Sequence, residues 1–291
     1  RYVGYLISLA ANSYKDFRVG LDCANGSAWM IGRAVFEALG AKTYVTGAEP
    51  DGLNINVDCG STHIDRLKKL VVEKGLDVGF AFDGDADRCL AVDEKGELID
   101  GDKILAICGL DMKQRGELKK DTIVGTVMSN LGLIMMGREN DVKILQTAVG
   151  DRYVLERMLA DGYNIGGEQS GHVIFLDYNS TGDGVLTAIQ LLSVLKRSGK
   201  KASELASIMQ VMPQVLVNAR VNNAKKNNYM DDDVVRKAIE DLEAEFSQDG
   251  RVLIRTSGTE PLVRVMIEGK DIEKMDKAAK KLASLIEERL K

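Results

Sequence analysis

Apolar positions in this chain alternate between short unbroken runs and helical stripes. "FRVGLDC" (17–23) is an apolar run of strand length, and the turn "ANGS" leads from it into a stripe through "WMIGRAVFEAL" that stops at Gly40. A strand over 42–46, a helix near 62–74 closed by Gly75 and the strand "DVGFAF" (77–82) continue the alternation. Strand, helix, strand, helix, strand is the grammar of a mostly parallel sheet with helices on its faces. "RCLAVDEKGELID" (88–100) then predicts a hairpin turning at Glu94–Gly96.

The alternation repeats over roughly 100–212. A helix over about 102–115, the strand "TIVGTV" (122–127), a helix after "SNLG", the strand "VKILQT" (142–147), the helix "DRYVLERMLADG" and the strand "HVIFLD" (172–177) follow in turn. The long helix 183–198 and a short one over "SELASIM" close this stretch, and its likeness to the first suggests a duplication. Beyond Pro213 the style changes. The strand "QVLVNARV", a charged helix over 231–246, the strands "RVLIRT" and "LVRVMIEG" and an amphipathic helix over 271–290 predict a small α+β domain. The expected fold class is therefore α/β, with two consecutive mixed-sheet domains over 1–99 and 100–212 and a C-terminal α+β domain over 213–291.

Composition narrows the function classes. At 291 residues the chain exceeds one ordinary domain, and 45% apolar residues suffice for several cores. A net charge of −5 argues against nucleic acid as the main partner, because a phosphate backbone calls for a broad basic face. Cys23, Cys59, Cys89 and Cys108 form no CxxC pair and read as reduced thiols of a cytoplasmic protein. No apolar run approaches the ~18 residues of a membrane span, and no signal peptide is seen, so no membrane partner is expected. The chain begins at Arg1 inside a helical pattern, "RYVGYLISLA", as expected of a piece of something longer.

Three loops carry candidate chemistry. In "FDGDADR" (82–88), Asp83, Asp85 and Asp87 stand at alternate positions directly after an apolar strand. Converging in a tight loop they repel one another, and a hard cation is the natural neutraliser. A solvated acidic turn is the bland alternative. An EF-hand is excluded, because Arg88 occupies the position that requires Gly and strands flank the loop, although Glu94 falls at the twelfth position. A phosphatase with Asp83 as nucleophile stays open. In "GGEQSGH" (166–172), Glu168, Ser170 and His172 offer donors and acceptors suited to sugar hydroxyls; an ordinary Gly-rich turn is the alternative. In "RTSGTEPLVR" (255–264), Arg255 and Arg264 bracket a Ser-Gly-Thr turn able to form an anion nest, or else a solvated basic loop. "GLNIN" (52–56) and "VGDRY" (149–153) carry less signal and read equally well as strand-to-helix turns.

Taken together and in this order, "FDGDADR", "GGEQSGH" and "RTSGTEP" resemble the α-D-phosphohexomutase superfamily from about Phe17 to the C-terminus. "LDCANGSA", "GLNIN", "MSNLGL", "VGDRYVLE" and "STGDG" sharpen the likeness toward bacterial members acting on glucosamine phosphates. The resemblance implies domains two, three and four of a four-domain enzyme. It implies Mg²⁺ held by Asp83, Asp85 and Asp87, with Arg88 beside the transferred phosphate. Glu168 and Ser170 would contact sugar hydroxyls with His172 lining that loop, and Arg255, Ser257, Gly258, Thr259 and Arg264 would grip the substrate's own phosphate.

The implied reaction moves phosphate between O6 and O1 of a hexosamine phosphate, through a hexosamine bisphosphate and a phosphoserine. Ala86 stands where many relatives have Gly. The larger departure is that the T-A-S-H-N-type serine motif does not occur in these residues, and Ser27 and Ser129 lie in other segments. The expected partner is thus a missing N-terminal domain of the same protein, and the chain alone is expected to be inactive. The alternatives are a mutase for glucose or mannose phosphates, a non-catalytic phosphosugar-binding module, and the Asp83 phosphatase.

Overall fold

The computed structural model describes residues 1–10, 12–248 and 250–291. Helix α1 (Tyr2–Ser8) precedes β1 (Arg18–Asp22), α2 (Ala28–Ala38), β2 (Lys42–Thr46), α3 (Asp65–Lys74), β3 (Val78–Phe82), β4 (Cys89–Asp93) and β5 (Leu98–Ile99). The chain continues through α4 (Gly101–Gln114), β6 (Thr122–Thr126), α5 (Leu131–Glu139), β7 (Lys143–Thr147), α6 (Asp151–Asp161), β8 (Ile165–Gly167), β9 (Val173–Phe175), α7 (Gly184–Ser198) and α8 (Ala202–Ala206). Its last stretch is β10 (Gln214–Arg220), α9 (Asp233–Glu245), β11 (Arg251–Thr256), β12 (Leu262–Glu268) and α10 (Ile272–Arg289). Residues 1–129 and 133–210 form one compact unit, and 130–132 with 211–291 a second.

The first unit holds two sheets built alike. In one the order is β2-β1-β3-β4-β5, with β2, β1 and β3 parallel and β4 and β5 antiparallel. In the other it is β7-β6-β8-β9, again three parallel strands and an antiparallel one. The common order accords with the duplication expected from the alternation of elements.

Residue size explains how helices cover both faces of the first sheet. Along β1 and β3 the large residues Val19, Leu21, Val78, Phe80 and Phe82 point into one core. The positions between them are small: Gly20 lies against the side chains of Leu76 and Leu67, and Gly79 against Val71 and Leu67 of α3, so that a side chain at 79 would force those of the helix to shift. Large-small alternation lets α3 approach on one face while bulk fills the other. On that other side Phe36 of α2 stacks on Phe80 at 5.7 Å.

One core serves both sheets of this unit. It joins Leu21 and Phe80 of the first sheet to Ile123, Ile165 and Phe175 of the second, with Ile104 of α4 and Ile189 of α7. Helix α7 is buried without a break from Gly184 to Leu195, as an all-round apolar helix must be. It packs against β3, β4 and α2 as well as β9 and α4. Ile189→Ala here costs about 2–5 kcal/mol through the cavity it leaves.

The second unit is a three-stranded antiparallel sheet, β10-β12-β11, with α9 and α10 on one face. Alternate residues Val215, Val217, Ala219, Val263, Val265 and Ile267 join the helices in the core. The residues between them, including Arg255 and Arg264, belong to the opposite face. Asp232 and Asp271 cap α9 and α10, each accepting backbone N–H bonds of the first turn.

Two elements differ from the sequence expectation. Helix α3 starts at Asp65 rather than near 62, because residues before it form a turn closed by the His63 N–H on the Gly60 carbonyl. Residues 165–167 form β8, so Gly166 and Gly167 belong to the sheet as well as to the loop they introduce, and β9 keeps only Val173–Phe175.

Candidate functional site

Strand β3 ends at Phe82 and β4 starts at Cys89, so Asp83–Arg88 is a six-residue loop at the carboxyl end of a parallel strand. Such loops are where open α/β sheets bind ligands. One carboxylate oxygen from each of Asp83, Asp85 and Asp87 lies within 4.8 Å of the others. The loop folds on itself through the Ala86 N–H to the Asp83 carbonyl (3.1 Å) and the Arg88 N–H to Asp83 Oδ1 (3.1 Å). Neighbours fix it from both sides, with the Ser27 N–H donating to the Gly84 carbonyl (2.9 Å) and the Gly184 N–H to the Ala86 carbonyl (2.8 Å). A side chain at 184 would overlap the Arg88 carbonyl, so only glycine permits this contact. Ala86 takes φ +60°, a left-handed conformation that suits glycine better than alanine.

Among the described residues the arginine pairing of these carboxylates is loose. Arg88 Nε lies 3.8 Å from Asp83 Oδ2 and 4.0 Å from Asp87 Oδ1, at the limit of an ion pair, and its side chain is 44% exposed. Burial, with Asp87 and Asp85 beside it, pushes the Asp83 carboxyl up to about 6, against the opposing Arg88 N–H bond. Three oxygen donors on one loop with unrelieved repulsion fit a hard divalent cation.

The Glu168–His172 loop lies beside the acidic loop in the same unit. It is a tight turn, with the Gly171 N–H on the Glu168 carbonyl and the Glu168 N–H on the His172 carbonyl, both at 3.0 Å. Cys89, directly after the acidic loop, donates its N–H to the Gly171 carbonyl (3.0 Å), and the Gly101 N–H at the start of α4 donates to the Gln169 carbonyl (2.9 Å). Glu168 is half-buried, one oxygen accepting the Gly150 N–H at 3.0 Å, and Ser170 is exposed.

His172, expected to line the sugar loop, ends it as a buried side chain. Its side chain is 4% exposed, and Nδ1 lies 3.1 Å from Asp87 Oδ2 while the Gly182 N–H donates to Nε2 at 3.2 Å. Nε2 therefore accepts and Nδ1 carries the proton, so His172 donates to Asp87 and has no free polar atom for a sugar. It orients a carboxylate of the cluster.

The Arg255–Arg264 segment belongs to the second unit. β11 ends at Thr256 and β12 starts at Leu262, and the register sets Arg255 directly opposite Arg264. Buried Ser257 closes the turn between them, its hydroxyl accepting the Glu260 N–H at 3.2 Å. Arg264 Nη2 reaches Glu260 Oε2 at 3.2 Å, while its Nε has no partner among the described residues. Burial, and after it the Arg264 charge, hold the Arg255 guanidinium below its ordinary value. Gly258 and Thr259 are exposed at the tip.

Sequence patterns left several contributors unremarked. Gly150 of "VGDRY" holds Glu168; Gly182 and Gly184 of "STGDG" hold His172 and the acidic loop; and Asp183 caps α7 through the Leu186 N–H while accepting the Tyr2 hydroxyl at 2.6 Å. Their segments carried the resemblance without an assigned role. Lys226 lay in no motif.

The chain matches three family models in order: phosphoglucomutase/phosphomannomutase alpha/beta/alpha domain II over residues 1–96, alpha/beta/alpha domain III over 100–212, and the C-terminal domain over 216–285. A phosphoglucosamine mutase of Acetivibrio thermocellus is 58% identical over 289 residues, 99% of this chain and 64% of that protein. One of Clostridium tetani is 55% identical over 290 residues, covering 100% of this chain and 65% of that protein. The chain thus spans 64–65% of the length of these relatives. Among solved structures, a phosphoglucomutase/phosphomannomutase family protein of Burkholderia thailandensis has a TM-score of 0.79 at 22% identity, covering 100% of this chain and 65% of that one. The N-acetylphosphoglucosamine mutase of Aspergillus fumigatus, in complex with GlcNAc-6P and magnesium, has a TM-score of 0.77 at 18% identity, covering 99% and 64%.

Proposed function

We propose a function on one premise: the chain belongs to the α-D-phosphohexomutase superfamily, whose phosphoglucomutase/phosphomannomutase domain II, domain III and C-terminal domain it matches in order. It is the metal-, sugar- and phosphate-holding part of a phosphoglucosamine mutase, interconverting glucosamine 6-phosphate and glucosamine 1-phosphate through a hexosamine bisphosphate. The observation that carries this reading is the convergence of Asp83, Asp85 and Asp87 beside Arg88, with Asp87 tied through His172 to the loop of Glu168. The names of relatives at 55–58% identity favour glucosamine over glucose or mannose as the sugar.

Roles follow from the chemistry of each group. Asp83, Asp85 and Asp87 would hold Mg²⁺, the ion bound by the Aspergillus protein, which supplies positive charge against a phosphoryl group in transfer. Arg88 adds charge on the same side, and its exposed guanidinium is free to turn toward that group. Glu168 and Ser170 hold sugar hydroxyls. Arg255, Ser257, Gly258, Thr259 and Arg264 hold the phosphate that is not reacting. The division of labour is 1–99 for metal, 100–212 for sugar and 213–291 for phosphate.

The phosphoryl carrier implied by the family is a serine in a motif absent from the 291 residues, and this reading assigns it to a further N-terminal domain of the same protein. The setting is cytoplasmic; among the described residues no helix is long and apolar enough to cross a membrane. A coupled assay of glucosamine 1-phosphate formation, run on this chain and on the product of the complete reading frame, tests the reading. The complete protein should turn over and lose activity on Asp85→Asn, while the chain alone binds without turnover. Equal turnover by both would overturn the assignment of the carrier. Phosphate found covalently on Asp83 would favour the phosphatase.

A further inference from the structure

Beneath the Ser257–Glu260 turn of the second unit stands a buried lysine. Lys226 opens a 3-10 turn, Lys226–Asp231, and is 8% exposed. Its Nζ donates to the Ser257 carbonyl at 2.9 Å and to the Glu260 carbonyl at 3.2 Å. Among the described residues no carboxylate pairs with it, whereas the adjacent Lys225 is exposed and reaches the Lys291 carbonyl. A buried amine satisfied by two carbonyls, with no counter-charge beside it, is an arrangement that costs stability and calls for a use.

The geometry of the peptide unit supplies the use. In a trans peptide the N–H points opposite to the C=O of the same unit. Holding the Ser257 carbonyl down toward Lys226 therefore aims the Gly258 N–H away from it. The Glu260 carbonyl can be held the same way at no loss of a donor, because the next residue is Pro261. The Glu260 N–H is already taken by the Ser257 hydroxyl, and the Ser257 N–H by the Leu262 carbonyl. Among the described residues the N–H groups of Gly258 and Thr259 donate to nothing, and both residues are exposed beside Arg255 and Arg264.

We propose that Lys226 is a positioning residue for phosphate: through its two carbonyl bonds it fixes the turn so that the Gly258 N–H faces the ligand. The proposal rests on the reading of this turn as a phosphate grip. It concerns a residue that touches no substrate and acts through the backbone.

The test uses the whole chain with inorganic phosphate as probe, at fixed ionic strength, comparing wild type, Lys226→Met and Lys226→Arg. Phosphate affinity by calorimetric or ³¹P titration should fall at least tenfold in K226M and recover to within threefold of wild type in K226R. Amide exchange at Ser257 and Glu260 should quicken in K226M relative to the amides of β12, the signature of a loosened turn in a folded unit. A folded K226M that binds phosphate within twofold of wild type, with unchanged exchange, overturns the proposal. If K226M does not fold, Lys226→Gln, which keeps a donor without the charge, takes its place under the same criteria. Failure of the wild type itself to bind phosphate removes the phosphate reading, and the exchange measurement alone then decides whether Lys226 holds the turn.

Discussion

Arg255 and Arg264 face each other directly across β11 and β12, two guanidinium groups on the same side of the sheet, of which Arg264 pairs with Glu260. Like charges in directly opposed positions destabilise a sheet by a few tenths to about 1 kcal/mol, which an anion between them would recover. Inorganic phosphate should therefore raise the melting temperature of the second unit. Arg264→Gln should leave unliganded stability within about 1 kcal/mol of wild type, since it removes both the repulsion and an exposed ion pair. The same variant should abolish most of the phosphate-induced rise. Calorimetric scans with and without phosphate measure both, and an undiminished rise in the variant would exclude Arg264 from the grip.

His172 gives a second expectation. Its Nδ1–H holds Asp87, so His172→Phe, which keeps the ring volume and loses the donor, should weaken divalent metal binding about 10–100-fold with little change in fold. Mn²⁺ titration followed by electron paramagnetic resonance reads this directly, and His172→Gln should regain part of the loss. Metal affinity indifferent to both substitutions would mean that Asp87 needs no support or is no ligand.

The raised Asp83 carboxyl sets a pH dependence with a definite sign. Its folded value of about 6 lies above the ordinary 3.8, so between these limits the folded chain binds more protons than the unfolded one. Stability of the metal-free chain should rise as pH falls from about 7 toward 4, until other carboxylates protonate, and Asp83→Asn should flatten that rise. Metal binding should run the other way, weakening as pH drops through about 6, because proton and cation compete for the same oxygens. Urea titrations at several pH values, with and without Mg²⁺, separate the two slopes; a metal affinity constant from pH 8 to 5 would contradict the assignment of Asp83.

What the sequence disclosed depended on how local the cause was. Strand β3 is apolar throughout, and β1 and β11 are short apolar runs flanked by polar residues, so periodicity alone locates them. Strand β8 contributes only Ile165, Gly166 and Gly167 to its sheet, too few side chains to declare a strand. The acidic loop was legible because its three carboxylates lie within five residues. The duty of His172 was not, since its partner Asp87 is 85 positions away and only the packing of two sheets brings them together. Lys226 lies 31 positions before Ser257 in a run of polar residues, where nothing but the fold distinguishes a buried lysine from its exposed neighbour.

The single core shared by the two sheets of the first unit has a consequence for synthesis on the ribosome. The apolar side of β1 and β3 is completed by α7, which ends at Ser198, about a hundred residues after β5 closes the first sheet. At roughly 5–20 residues per second, that sheet waits on the order of 5–20 s with Leu21, Phe80 and Phe82 incompletely covered. During this interval the nascent chain presents the kind of surface that chaperones hold and other nascent chains stick to. Slowed elongation before α7 has emerged from the ribosome should lengthen the exposure and lower the soluble yield, whereas slowing once it has emerged should leave it unchanged.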